Sequence, residues 1–364
     1  MKAYLYNLAT DKYKGFIASI LKIFLLIFSF IYGLLVRMLI FISGLNPHRL
    51  DCRVISIGNV TLGGTGKTSL VEFIARYLDK QGHKVAILSR GYKKKVVSRP
   101  MPAGRQESSV VSCETMGDEA YMLKTHLKDI PVLVDANRIR AAHRARDDYG
   151  VDTVILDDGL QQWKIKKDSE IVAIDATDPF GNQHLLPRGI LRQPLSALKQ
   201  ADIFVLTKTN LNPDIQDIKD FLSSINPSAL IVESIHKPLG FYKIGQVDKL
   251  LPPEALKGKT VTLVSGIGDP DSFENLVISL GINIGLSFRF PDHHHYLQKD
   301  LEHIIQQSQN KNIDTIVTTE KDAVRLQRLP FTVYRLPILV LRIELQIISD
   351  EERFYNRLLK LYSL

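Results

Sequence analysis

Cysteine is nearly absent from this chain: among 364 residues only Cys52 and Cys113 carry a thiol. So few cysteines, so far apart, exclude a disulfide framework and a CxxC metal site. The usage fits a reducing compartment. Internal repeats and low-complexity tracts are also missing, which leaves no room for a repeat array. Acidic residues are in deficit, 39 against 47 Lys and Arg, for a net charge of +8 and a pI near 9.2. That excess suits a phosphate-bearing partner, whether anionic membrane, nucleic acid or phosphorylated substrate, and does not choose among them. What is present is globular in balance, 45% apolar and 24% charged, with length enough for two domains.

The apolar residues are concentrated at the start. From Phe16 to Leu45 the run FIASILKIFLLIFSFIYGLLVRMLIFISGL is interrupted only by Lys22 and Arg37. It exceeds the roughly 20 residues that cross a bilayer. It is too long for a cleavable leader, and no A-x-A-like site closes it. Lys22 and Arg37 are 15 positions apart, about 22 Å along a helix, and both can snorkel toward head groups. Lys2, Lys12 and Lys14 precede the run, and Arg49 and Arg53 follow it. A single span would put one basic flank outside, against the positive-inside tendency; a bent or interfacial anchor keeps both flanks on the cytoplasmic face. Residues 1–45 are therefore expected to be a membrane anchor, spanning or monotopic.

Beyond the anchor, apolar strands alternate with helical patterns. RVISI, KVAIL, PVLVD, TVIL, EIVAID and DIFVLT read as strands, with helices over Thr68–Lys80, Gly117–Leu127 and Asn137–Asp148. This alternation predicts an α/β fold, a P-loop NTPase-type parallel sheet with helices on both faces. The core domain is expected over 46–235. A smaller α/β domain is expected over 236–364, closing a cleft. Its strands are read in TVTLVSGIG, near Phe288 and in DTIVTT, with helices from Asp271 and Leu297. The polar stretch Lys93–Ser112 reads as a long surface loop.

The chemistry begins at GNVTLGGTGKTSL, directly after RVISI. Gly66, Lys67 and Thr68 fit G-x-x-x-x-G-K-[ST], while Thr61 stands where that pattern has its first glycine. Gly63 and Gly64 keep the loop permissive. Backbone N–H groups from Thr61, Leu62, Gly63, Gly64, Thr65 and Gly66, with Lys67 and Thr68, are the expected cradle for ATP phosphates. Lys67 would reach the β/γ-phosphates and Thr68 would ligate Mg²⁺. A related variant, K-G-G-x-G-K-[ST], marks partitioning and cell-division ATPases, and Leu62 stands where that variant has its lysine. VILDDGLQ ends an apolar strand in Asp157 and Asp158, candidate Mg²⁺ ligands opposite the loop.

Three further segments carry candidates. GDEAYML places Asp118 and Glu119 at a helix start, where they act either as caps and dipole partners or as a general base and a metal ligand. FPDHHHY carries His293, His294 and His295. Consecutive residues point in different directions, so a His paired with a carboxylate fits better than a three-His metal site. LLPRGILRQP sets Arg188 and Arg192 in a loop as candidate phosphate clamps. The run Lys93–Lys95 and Arg138, Arg140, Arg144 and Arg146 read as solvated faces or as an entry for an anionic lipid.

SIGNVTLGGTGKT, LSRGY, GDEAYML, LDDGLQ, LLPRGILRQP, LTK, FPDHH and TTEKDAVRL occur here in this order. The set, from about residue 30 to residue 345, resembles the tetraacyldisaccharide 4'-kinases, the lipid A 4'-kinases of Gram-negative bacteria. The resemblance implies transfer of the ATP γ-phosphate to the 4'-hydroxyl of a tetraacyldisaccharide 1-phosphate at the cytoplasmic face of the inner membrane. It implies Mg²⁺ with ATP, held by Lys67, Thr68, Asp157, Asp158 and Glu119. It makes Asp118 the base supported by His293, and has Arg192 neutralise charge near the transferred phosphoryl or the lipid. The expected partners are the anionic glycolipid and membrane lipids, with no nucleic acid and no obligate protein partner. Two positions depart from the family pattern: Gln162 stands for the His of D-D-G-x-Q-H, and Lys93-Lys94 for the Gly-Arg of S-R-G-Y-G-R. The competing class is a membrane-tethered NTPase that sends the γ-phosphate to water, with Gln161 or Gln162 positioning it.

Overall fold

The computed structural model describes residues 7–91, 116–212, 214–329 and 336–363. The expected loop over 93–112, its basic run and Cys113 lie outside them. The first long element is helix α1 (Phe16–Gly44), followed by β1 (Arg53–Gly58), α2 (Lys67–Lys80) and β2 (Val85–Ser89). Next come α3 (Asp118–His126), β3 (Val132–Val134), α4 (Arg138–Tyr149), β4 (Thr153–Asp157), β5 (Ser169–Asp175) and β6 (Ile203–Thr207). They are followed by α5 (Ile215–Ile225), β7 (Leu230–Lys243), β8 (Leu250–Leu251), β9 (Thr260–Ser265) and α6 (Pro270–Ser279). The chain closes with β10 (Asn283–Arg289), α7 (Gln298–Asn310), β11 (Ile316–Thr319), α8 (Glu320–Leu326), β12 (Ile338–Ile347) and α9 (Glu351–Leu359).

Contacts divide the chain into two units. The first holds Met1–Ser89, Asn137–His236 and Leu345–Leu364, and the second Arg90–Ala136 and Lys237–Glu344. The crossing after His236 falls beside the expected boundary, but the units are not consecutive pieces as the sequence reading has them. Side-chain packing explains the difference. Met122 of α3 is buried with Val324 of α8, which ties residues 90–136 to the second unit. Tyr355 of α9 stacks on Tyr77 of α2 at 4.1 Å between ring centroids, returning the C-terminus to the first.

In the first unit the strand order is β7–β6–β5–β1–β4–β2, and each neighbouring pair in it is parallel. Parallel strands covered by helices on both faces need apolar residues on both sides. Accordingly β2, β4 and β6 are buried at every position. The core beneath α5 gathers Val172, Ile174, Phe204, Leu206 and Leu222; burying each such side chain contributes about 1.5–3 kcal/mol. The register sets Ile57 of β1 beside Asp157 of β4, so the phosphate loop and the acidic pair leave neighbouring strands at the same edge. This is where α/β sheets bind ligands.

The second unit is a smaller sheet in the order β10–β9–β11–β12–β7, with β8 on β7. Edge strand β10 alternates exposed and half-buried residues, unlike β9, whose residues after Thr260 are all buried.

Helix α1 runs 29 residues, about 43 Å. It is the one described helix long and apolar enough to cross a membrane, and only Ala18, Ser29, Gly33 and Val36 are buried along it. Ser29 Oγ donates to Leu185 O at 2.7 Å, and Tyr32 Oη to Arg192 O at 2.8 Å. A Cβ on Gly33 would lie 2.7 Å from Leu185 Cδ1, so glycine permits this approach.

Candidate active site

The loop after β1 turns through Gly63 at φ +119° and Gly66 at φ +75°. Only glycine holds such angles without strain. A Cβ on Gly66 would also lie 3.3 Å from Thr207 Cγ2 of β6. Segment 190–192 braces the loop: Leu62 N donates to Ile190 O at 2.8 Å, and Arg192 N to Val60 O at 2.7 Å. Thr207 Oγ1 donates to Thr65 O at 3.2 Å. The first turn of α2 then presents Lys67 and the buried Thr68.

Asp158, at φ +55°, accepts two hydrogen bonds from Arg192, Nη1 to Oδ2 and Nη2 to Oδ1, each 2.8 Å. Lys67 Nζ lies 3.8 Å from the same Oδ1. Arg192 Nη2 also donates to Asn59 O at 3.0 Å. Burial would raise the Asp158 carboxyl, but Arg192, Lys67 and Arg138 hold it below the ordinary value. A carboxylate shared by two cations is a pivot for them more than a free metal ligand. Asp157 is buried and accepts from Ser89 Oγ at 3.0 Å. Gln161 Nε2 donates to Asn59 O at 3.1 Å. Arg188 does not join this cluster; it forks onto Asp11 at 3.0–3.2 Å, and Asp11 falls to about 2 against the opposing effect of burial. The candidate phosphate clamp at Arg188 is a tie on the N-terminal segment.

In the second unit, Asp118 opens α3 without capping it. Its carboxylate is held from α8 and the turn after it. Arg325 Nε donates to Oδ2 at 2.6 Å, and Arg328 Nη2 to Oδ1 at 2.7 Å. His293 Nδ1 lies 3.6 Å from Asp118 Oδ2 and 3.2 Å from Arg325 Nη2. Burial raises the Asp118 carboxyl; His293, Arg325 and Arg328 outweigh it and hold the group far below the carboxylate range. Arg325 is 2% exposed. It also donates to Gly266 O at 2.7 Å and to the fully buried Asp322 at 3.1 Å. Asp322 in turn accepts from Tyr296 Oη at 3.0 Å.

The three histidines separate. His293 sits at φ +60° beside Asp118. His294 pairs with Asp300 at 3.1 Å and stacks on Phe290. His295 Nδ1 lies 3.4 Å from Tyr296 O. Glu119, expected on the metal, pairs with Lys321 at 2.6 Å. Among the described residues no three His, Cys, Asp or Glu side chains gather into a metal-holding group.

Residues 21–363 match the family model described as tetraacyldisaccharide-1-P 4'-kinase. The chain belongs to this family. It is 35% identical over 342 residues to the tetraacyldisaccharide 4'-kinase of Halothermothrix orenii, covering 90% of this chain and 89% of that one. It is 36% identical to the Syntrophus aciditrophicus protein of that name, covering 82% and 81%. A crystal structure described as the "apo" form of LpxK from Aquifex aeolicus in complex with ATP superposes with a TM-score of 0.72 at 26% identity. That match covers 94% of this chain and 99% of the other.

As a member of the 4'-kinase family, this chain carries Gln162 on a half-buried turn, its N–H donating to Gly159 O at 2.8 Å. Sequence reasoning missed Arg325, Arg328 and Asp322 as organisers of Asp118. The signal for Asp322 and Arg325 was the string TTEKDAVRL, whose spacing puts them one helical turn apart; Arg328 lies two residues beyond it.

Proposed function

We propose that this kinase transfers the γ-phosphoryl group of ATP to the 4'-hydroxyl of a tetraacyldisaccharide 1-phosphate, the step that makes lipid A precursors bisphosphorylated. The family match over residues 21–363 carries the reading, and the intact strand–loop–helix around Lys67 supports it. The P–O bond to the sugar 4'-oxygen forms as the bond between Pγ and the β–γ bridging oxygen breaks, and ADP leaves.

The loop Thr61–Thr68 would hold the phosphates through backbone N–H groups, and Lys67 would follow the β/γ oxygens. Arg192, supported on Asp158, would meet charge near the transferred group. Mg²⁺ suits the hard oxygens of Thr68 and Asp157, and would screen phosphate charge there; on MgATP most ligands are phosphate and water, so few protein donors suffice. Asp158 and Glu119, each paired with cations in this structure, are the weaker candidates of the expected set.

Asp118 would take the hydroxyl proton, with His293 positioned to share it. Two arginines make Asp118 a weak base. A loose phosphoryl-transfer transition state asks for little proton removal before the bond forms. Orientation by the clamp then counts for more than basicity.

Helix α1 fits a monotopic anchor on the cytoplasmic face. Its middle turns hold Leu185 and Arg192, in the segment bracing the phosphate loop. A perpendicular span would draw that segment into hydrocarbon. Exposed Phe16, Phe24, Phe28, Phe30, Phe41 and Leu45 instead offer a broad apolar face to one leaflet. The reading is tested with γ-labelled ATP, detergent and the tetraacyl substrate. Label recovered in the organic phase supports a lipid kinase; label released only as inorganic phosphate, with or without lipid, supports hydrolysis.

A further inference from the structure

Phenylalanine and tyrosine part company along α1. Phe16, Phe24, Phe28, Phe30 and Phe41 are all exposed, as suits the lipid side of an anchor. Tyr32, the one tyrosine of the helix, is half buried, and its hydroxyl donates to Arg192 O at 2.8 Å. An apolar anchor has no need of that hydroxyl, since the ring supplies the apolar area without it.

Arg192 is fixed on both sides of its main chain. Its N–H donates to Val60 O at 2.7 Å, at the root of the phosphate loop, and its C=O accepts from Tyr32. The guanidinium forks onto Asp158 and donates to Asn59 O and Asn59 Oδ1. Asn59 is 1% exposed and continues the chain of bonds, its Nδ2 donating to Thr61 O at 2.8 Å. Arginine carries its guanidinium on a long flexible stem, so the fork is placed only as firmly as the main chain beneath it. Ser29 seats the same helix on the same segment, but at Leu185 O, 2.7 Å away.

We propose that Tyr32 is a positioning residue for phosphoryl transfer: its hydroxyl fixes the main chain from which Arg192 reaches the transferred group. Helix α1 is thereby part of the catalytic scaffold as well as an apolar surface. The phenol donates at neutral pH, where it is protonated, and the Arg192 carbonyl accepts. With that bond gone, Val60 O still holds the N–H side, but the main chain can swing about it. A small displacement of a charge-stabilising group is enough to slow the chemical step while leaving substrate binding in place. The inference rests on the reading of Arg192 as the cation near the transferred phosphoryl.

Tyr32→Phe removes one oxygen and keeps the helix apolar. Single-turnover transfer in detergent, at saturating ATP and lipid, should slow about fivefold, the loss expected of one hydrogen bond, with the KM for ATP within about twofold. Ser29→Ala loses a bond of the same kind at Leu185 and should slow transfer less than about twofold. In an Arg192→Ala background Tyr32→Phe should also cost less than about twofold, because the group it positions is gone. Wild-type transfer in Tyr32→Phe overturns the proposal. So does equal slowing in both backgrounds, or slowing by Ser29→Ala as large as that by Tyr32→Phe, either of which makes the hydroxyl a docking contact only. Full transfer by Arg192→Ala itself would sink the reading of Arg192, and the proposal with it. If Arg192→Ala transfers too slowly to read, hydrogen exchange at the Arg192 amide decides: faster exchange in Tyr32→Phe than in Ser29→Ala supports the proposal, and equal exchange overturns it.

Discussion

Arg325 Nε donates to Asp118 Oδ2 across 2.6 Å, and the guanidinium is 2% exposed. The pair joins the start of α3 to α8, and Asp322 and Gly266 hold the far side of the same guanidinium. Removing a partner from such a pair strands the other charge. Arg325→Ala should therefore cost about 3 kcal/mol of unfolding free energy, measured in urea. Arg325→Lys keeps the charge but not the fork, and should recover part of that loss. Arg328, a quarter exposed at its side chain, should matter less, about 1 kcal/mol on truncation.

The two neighbouring histidines should separate by experiment. His293→Ala should lower kcat by about 100-fold, with the KM for ATP and the urea midpoint little changed, as for loss of a proton-handling partner. His294→Ala removes a ring stacked on Phe290 and paired with Asp300, and should shift the midpoint while kcat changes less than about threefold. Transfer assays and urea titrations on both variants check this; a reversed pattern would reassign the dyad.

Acid should destabilise the protein through carboxylates whose folded pKa is depressed. Asp118 and Asp158 both lie below the ordinary value of about 4. Their contribution is complete above that value and is lost as pH falls below it toward the folded pKa, because the unfolded chain then binds more protons. Asp118→Asn should flatten the fall of unfolding free energy with pH in that acid range. Equal slopes in wild type and variant would remove Asp118 from the account.

Docking of α1 depends on a small residue. Gly33→Leu places a side chain where a Cβ alone comes within 2.7 Å of Leu185 Cδ1. The helix should lift from segment 185–192, breaking the bonds from Ser29 and Tyr32. Limited proteolysis in detergent should cut α1 at least about fivefold faster than in the wild type.

Much of this was legible in the sequence because parallel strands announce themselves. RVISI, TVIL and DIFVLT are dominated by β-branched and other apolar residues, and Val54–Ile57, Thr153–Leu156 and Ile203–Thr207 within them are buried strand. The loop at 58–70 was legible through Gly66, Lys67 and Thr68. Strand β7 was not, since LIVESIHKPLGFYK mixes charges with a proline and changes units midway. Nor was the interleaving of units, because the contacts of Met122 with Val324 and of Tyr77 with Tyr355 connect residues that no local pattern relates. Among the site residues, type and motif pointed to Asp118 and His293. The arginine clamp was hidden because Arg325 acts through tertiary contacts with Asp118 and Gly266.

The most direct measurement of the central claim is a parallel assay of Asp118→Asn and wild type, reading ATP affinity and single-turnover phosphorylation of the tetraacyldisaccharide 1-phosphate together. The account predicts ATP affinity within about threefold of wild type and phosphoryl transfer slowed by at least about 100-fold. Transfer at an unaltered rate would contradict it, and would remove Asp118 from the chemistry.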